Sequence, residues 1–262
     1  SSIRWEYDEG LRILHIDGKG AMGDAIKTIR VETSKTQSGY SEKTIRNAPW
    51  EVVSSEAEIL DISPDISAIS TTAFMNFKNL REAYLPGVVS IGVSAFYMCE
   101  KLEAVQMPNV RIIGSSAFEC CSSLERLLAN NPYSEDVRSA KPKLTLPKVM
   151  AIGNFAFRNC RKLASISMPN CASVGDYAFM WCDSLIEANL QSATQIGKGA
   201  FRQCPELRKV RILSGATVGK GALARSGISW FEYAVDRSSS DTADSTTNQD
   251  ALVFFDIETT GI

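Results

Sequence analysis

The dipeptide Ala-Phe stands at residues 73–74, 95–96, 117–118, 156–157, 178–179 and 200–201, and Ala222-Leu223 closes the series. The intervals between the second residues are 22, 22, 39, 22, 22 and 22. The long interval exceeds the others by 17, so it reads as one repeat carrying a 17-residue insertion. A fixed period of this size means that no unit can bury its apolar face alone and each must stack on its neighbours, which restricts the chain to a solenoid.

The repeat accounts for most of the cysteines. Cys99, Cys121, Cys160, Cys182 and Cys204 each lie three residues after the Phe of their own repeat, and Phe77 and Ser226 hold that place in the first and last. A position open to Cys or Phe is a buried apolar one, where Cys packs as a small hydrophobe. Cys171 falls where other repeats have Val88, Val110 and Val149, which again reads as packing. Cys120 alone has no place in the pattern. With seven cysteines, no Cys-x-x-Cys pair and one histidine, neither a disulfide framework nor a metal-ligand spacing is expected.

Each repeat then offers a short strand in which side chains two apart share a face. The apolar pairs are Ala83 and Leu85, Val105 and Met107, Leu144 and Leu146, Ile166 and Met168, Ala188 and Leu190, Val210 and Ile212. Their neighbours Tyr84, Gln106, Thr145, Ser167, Asn189 and Arg211 are therefore expected to point outward, one per coil, as a ladder about 4.8 Å apart. Pro86, Pro108, Pro147 and Pro169 follow the strands and should keep the sheet narrow. Gly92, Gly114, Gly153, Gly175, Gly197 and Gly219 suit a tight bend or the entrance to a short Ala-Phe helix, with Ser70 as the exception.

The units Ile113-Gly114, Ala117-Phe118, Cys121, Leu124 and Ile152-Gly153, Ala156-Phe157, Cys160, Leu163, Ile166, Met168-Pro169 resemble the BspA-like, Treponema-type leucine-rich repeat. The resemblance runs from about Ile59 to Val235. It implies an α/β leucine-rich-repeat horseshoe with a parallel concave sheet, short convex helices and a β-rich N-terminal cap. It also implies adhesion, scaffolding or recognition of a protein or glycan at a cell surface, through the concave ladder.

Outside the repeats, Trp5, Tyr7, Leu11, Ile13 and Ile16 flank the turn composition Asp8-Glu9-Gly10 and read as a β-hairpin. The sequence divides into a cap at 1–58, a solenoid at 59–235 with its insertion near 129–142, a polar linker at 236–250 expected to be disordered, and a terminal segment at 251–262. Within the cap, the alternation from Ile26 suggests another strand, and Trp50 reads as core or as a ligand platform. The insertion reads as a tolerated loop or as part of a binding face. Either Leu124 to Leu128 or Lys143 to Leu146 could supply that repeat's strand. Ile228 to Val235, rich in aromatic residues, reads as a capping strand.

Formal charge is −2 over 262 residues, and no cluster of Lys and Arg stands out, so bulk attraction of the repeats to nucleic acid or anionic lipid is not expected. The chain opens on Ser1-Ser2-Ile3 without an apolar signal segment, and no run of about 18 apolar residues predicts a membrane span. A removed signal peptide would leave the same start, so the compartment stays open, as does the oligomeric state. His15 is the one histidine and lies in the terminal hairpin, so no Ser/His/Asp or Cys/His set is expected around the repeats.

The terminal segment Ala251-Leu252-Val253-Phe254-Phe255-Asp256-Ile257-Glu258 resembles the first motif of DEDD, or DnaQ-like, 3'-5' exonucleases. The resemblance implies that Asp256 and Glu258 would hold Mg²⁺ or Mn²⁺ in a complete exonuclease domain, and that a longer parent would be an intracellular enzyme with these repeats as its targeting region. The later acidic motifs have no place in this sequence. The 262 residues are therefore expected to be inactive and to need no cofactor.

Overall fold

The computed structural model describes residues 3–22, 29–36, 39–45, 48–128, 145–228 and 232–234, with side chains for 3–22, 48–127 and 145–228. Over these residues the chain is a parallel β-solenoid whose coils have three sides. The first side is a sheet of short strands: Arg4–Asp8, Ile13–Asp17, Ile59–Ile62, Glu82–Tyr84, Ala104–Gln106 and Arg126–Leu128 in that spatial order. It resumes after the insertion as Ser165–Ser167, Glu187–Leu190, Lys209–Leu213 and Glu232–Ala234. The second side is one unbroken sheet of eight strands, from Gly20–Ala21 through Ile112–Ile113 and Ala151–Ile152 to Thr217–Val218.

The expected hairpin is present, with Trp5 opposite Ile16 and Tyr7 opposite Leu14. Its second strand is also a rung of the solenoid, because Ile13–Ile16 pairs in parallel with Ile59–Ile62. The strand expected near Ile26 lies at Ile29–Thr36 and pairs antiparallel with Gly39–Ile45.

Alternation along the first sheet is as the sequence demands. Ala83, Leu85, Val105, Met107, Leu146, Ile166, Met168, Ala188, Leu190, Val210 and Ile212 are buried, and Leu144 lies outside the described residues. Proline bounds three of these strands. Strands followed within two residues by Pro86, Pro108 or Pro169 have three residues, whereas Glu187–Leu190 and Lys209–Leu213, which carry Gln191 and Leu213 at the equivalent place, have four and five. A residue without an N–H removes a ladder donor.

The third side corrects the expectation of short helices. The one helix among the described residues is the 3-10 turn Pro49–Val53. Each Ala-Phe segment instead holds two residues in the left-handed region four apart: Thr72 and Asn76, Ser94 and Met98, Ser116 and Cys120, Phe155 and Asn159, Tyr177 and Trp181, Gly199 and Gln203, Gly221 and Arg225. Such residues end any helical run. The N–H groups this leaves free of a helix bond to the next coil, as in Phe96 N to Ala117 O at 2.8 Å and Phe118 N to Ala156 O at 2.8 Å. The segment is a third hydrogen-bonded ladder.

Inside, one aromatic column runs the length of the stack. Phe74, Phe96, Phe118, Phe157, Phe179 and Phe201 are wholly buried, with successive ring centroids 5.2 to 5.4 Å apart. Trp50 closes its lower end, 5.7 Å from Phe74, and donates from Nε1 to the Ala73 carbonyl at 3.0 Å. Trp50 is therefore core, not a ligand platform.

Beside the column, each repeat thiol donates to the Phe carbonyl of the coil before it: Cys99 to Phe74 at 3.0 Å, Cys121 to Phe96 at 3.1 Å, Cys160 to Phe118 at 3.1 Å, Cys182 to Phe157 at 3.2 Å and Cys204 to Phe179 at 3.1 Å. Phe77, at the same place, packs edge-on to Phe74. All seven cysteines are unbridged. Cys120 differs from the rest in being half-buried, at a left-handed position, with Asn159 Nδ2 3.6 Å from its sulfur.

The repeat glycines are required for a reason other than a helix entrance. A Cβ built on Gly92, Gly114, Gly153, Gly175, Gly197 or Gly219 would lie 2.4 to 2.8 Å from backbone of the coil before it, closer than real Cβ atoms come. The coils meet backbone to backbone at this corner. Gly153→Ala is expected to cost about 1–3 kcal/mol by forcing the coils apart. Urea unfolding measures it, and a loss below about 0.5 kcal/mol would mean that the corner relaxes freely.

Candidate functional site

The outward positions of the first sheet carry the polar ladder read from the sequence, in two runs. Tyr84 pairs with Gln106, and Thr145, Ser167, Asn189 and Arg211 stand in register one after another. Between the runs, among the described residues, Gln106 is opposite Leu128, and Thr145 makes an isolated bridge to Ser167. The insertion's two flanks thus share the strand's duty, the first pairing backward and the second forward. In the later run Asn189 Nδ2 donates to Ser167 Oγ at 3.3 Å.

Below Tyr84 the row continues into residues that the sequence did not suggest. Asp61 is opposite Tyr84, and His15 is opposite Asp61. His15 Nδ1 and Asp61 Oδ2 are 3.0 Å apart, with side chains 41% and 50% exposed, so the pair faces solvent. His15, Asp61, Tyr84 and Gln106 border an open depression of about 330 Å³. Ile13, Ile59 and Pro86 supply its apolar surface. The Tyr84 hydroxyl donates to Glu82, whose carboxylate lies 3.8 Å from Arg126. Along the neighbouring row Arg12 bonds Glu58 at 2.6 Å and Arg81 bonds Glu103 at 2.8 Å, so the nearby guanidinium groups are held by carboxylates.

A signal for this site was present. Ile13-Leu14-His15-Ile16 and Ile59-Leu60-Asp61-Ile62 differ only in their third residue, which is the mark of two rungs in register. The fold also sorts charge. Residues 48–128 carry ten Asp and Glu against five Lys and Arg, and residues 145–228 carry four against eleven. The depression belongs to the acidic half and Arg211 to the basic half.

Asp256 and Glu258 lie outside the described residues, as do the linker at 236–250 and the insertion at 129–142. Among the described residues no three metal-ligating side chains come together, and no helix is long and apolar enough to cross a membrane.

The fold agrees with comparisons to known proteins. The family model described as the BspA type leucine rich repeat region matches residues 53–140 and 137–239, in six copies. The crystal structure of the T. pallidum leucine-rich repeat protein is similar, with a TM-score of 0.50 and 17% identity over 80% of this chain and 81% of that one. A leucine-rich repeat protein from Bacteroides ovatus is similar with a TM-score of 0.50 and 19% identity, over 87% of this chain and 56% of that one. No curated protein matches in sequence. The repeat, its three ladders and these matches agree: the chain belongs to the BspA-type leucine-rich repeat family.

Proposed function

We propose that the chain is a binding module that engages a protein partner across the outward side of its first sheet. The observation that carries this reading is the register. Polar side chains stand in line along the sheet, and the line ends in a depression with an apolar floor. Membership of a leucine-rich repeat family supports it, since stacked repeats present extended surfaces suited to recognition. In this reading residues 59–235 are the binding unit and 1–58 its cap.

Tyr and Arg are the residue types most often found to dominate binding energy. Tyr84→Ala and Arg211→Ala are expected to weaken a cross-linked and purified partner by at least about tenfold each, on the hot-spot scale of alanine scanning. Melting temperatures should stay close to that of the parent protein. Unchanged affinity in both variants would move the site to another face, and a partner that survives proteolysis but is lost on glycosidase treatment would make the ligand a glycan.

A further inference from the structure

We infer that the depression beside His15 and Asp61 takes a lysine or arginine side chain of the protein partner; this rests on the reading of the first sheet as the binding face. Three features converge on a cation with an aliphatic stem. Ile13, Ile59 and Pro86 give an apolar surface on which methylene groups can lie. Tyr84 brings an aromatic ring to the rim, and such rings attract ammonium and guanidinium groups. Among the described residues Asp61 is the one carboxylate lining the depression; it is half exposed and is the group a cationic head would meet.

The surroundings favour the same sign. Among the described residues the nearby arginines do not compete for Asp61, because Arg12 and Arg81 are bonded to Glu58 and Glu103, and Arg126 faces Glu82; His15 shares Asp61 through Oδ2, so an incoming cation meets a carboxylate already held in place by the imidazole. The half of the solenoid that holds the depression has twice as many acidic as basic residues, so an approaching cation is drawn to it and an anion is turned away. A carboxylate or phosphate ligand would meet Asp61 at contact distance.

His15 is the only histidine, so its imidazole resonances report on this site without ambiguity. The probes are Gly-Arg-Gly, Gly-Lys-Gly, Gly-Glu-Gly and Gly-Leu-Gly, blocked at both ends and titrated into the intact chain at constant ionic strength. The arginine and lysine peptides are expected to shift the His15 signals in a saturable way, and the glutamate and leucine peptides to leave them in place. Asp61→Asn should weaken binding at least tenfold, while Thr217→Ala, on the second sheet, should change nothing. Equal shifts from all four peptides, no shift from any, or a full response in Asp61→Asn would each overturn the inference. If basic peptides bind but Tyr84→Ala and Arg211→Ala leave partner capture intact, the depression is a cation site and the wider binding face is wrong. If those variants abolish capture but no basic peptide binds, the face stands and the lysine or arginine assignment falls.

Discussion

Raising the pH above 9 is expected to lower this protein's stability steeply, with the thiols responsible. Burial pushes Cys99, Cys171 and Cys204 up to about 12 and holds Cys121, Cys160 and Cys182 well above the ordinary value of 9.0. The cause in every case is loss of water around a thiolate that would have to form inside the core. Above pH 9 the unfolded chain releases these protons and the folded chain keeps them, so the unfolded state binds fewer protons and stability falls with rising pH. The stability is fully present below about pH 9 and is lost as pH climbs toward 12. Each such group contributes a slope approaching about 1.4 kcal/mol per pH unit. Six acting together approach a limit of about 8 kcal/mol per unit once the pH is well above 9, a slope large against the whole stability of an ordinary domain. Urea midpoints measured between pH 7 and 10.5 under reductant test this. Cys171→Val, which installs the residue found at Val88, Val110 and Val149, should keep the fold and lower the slope by about a sixth. A midpoint that stays constant from pH 8 to 10 would mean that the thiols ionise in place.

Phe118→Ala is expected to cost about 3–5 kcal/mol, the range for a large buried aromatic removed from a close-packed core. The site cannot collapse to fill the gap. Its ring lies between Phe96 at 5.2 Å and Phe157 at 5.3 Å, and both neighbours are fixed by stacks of their own. The backbone is fixed as well, since the Phe118 N–H bonds to Ala156 O and its carbonyl accepts from Cys160. Coils with a nearest-neighbour architecture should transmit this loss to both sides, so Phe96→Ala combined with Phe118→Ala should be non-additive. Calorimetry or chemical unfolding decides it, and a cost below about 1 kcal/mol would place the ring outside a packed core.

The period, the core and the outward row were legible in the sequence because they depend only on spacing and on the apolar or polar nature of single residues. Phe118, Cys121, Leu124 and their equivalents fall where a 22-residue coil puts them. The third side was not legible because its backbone is left-handed at residues whose side chains give no sign of it. Gly199, Gly221, Asn76 and Asn159 suit that conformation, but Phe155, Tyr177 and Trp181 adopt it at the same places. Hydrogen bonds to the next coil outweigh the local preference. The glycine column had a cause that only stacking reveals. His15 and Asp61 escaped for a related reason: they are 46 residues apart and become neighbours through a parallel pairing that joins the hairpin to the first repeat.

Among the described residues the first sheet passes from one run of rungs to the next at the insertion. Where the insertion leaves it, the second sheet and the turn ladder still stitch the coils together, with Gly153 N bonded to Ile113 O at 2.8 Å and Ser116 N to Asn154 O at 2.8 Å. Among the described residues, the side carrying the ladder joins the chain to the strands that follow through the Thr145 bridge. A partner that grips both Asp61 and Arg211 would therefore cross the insertion, and its grip would add a tie between the acidic and basic halves on the side of the coils where the described residues provide the Thr145 bridge.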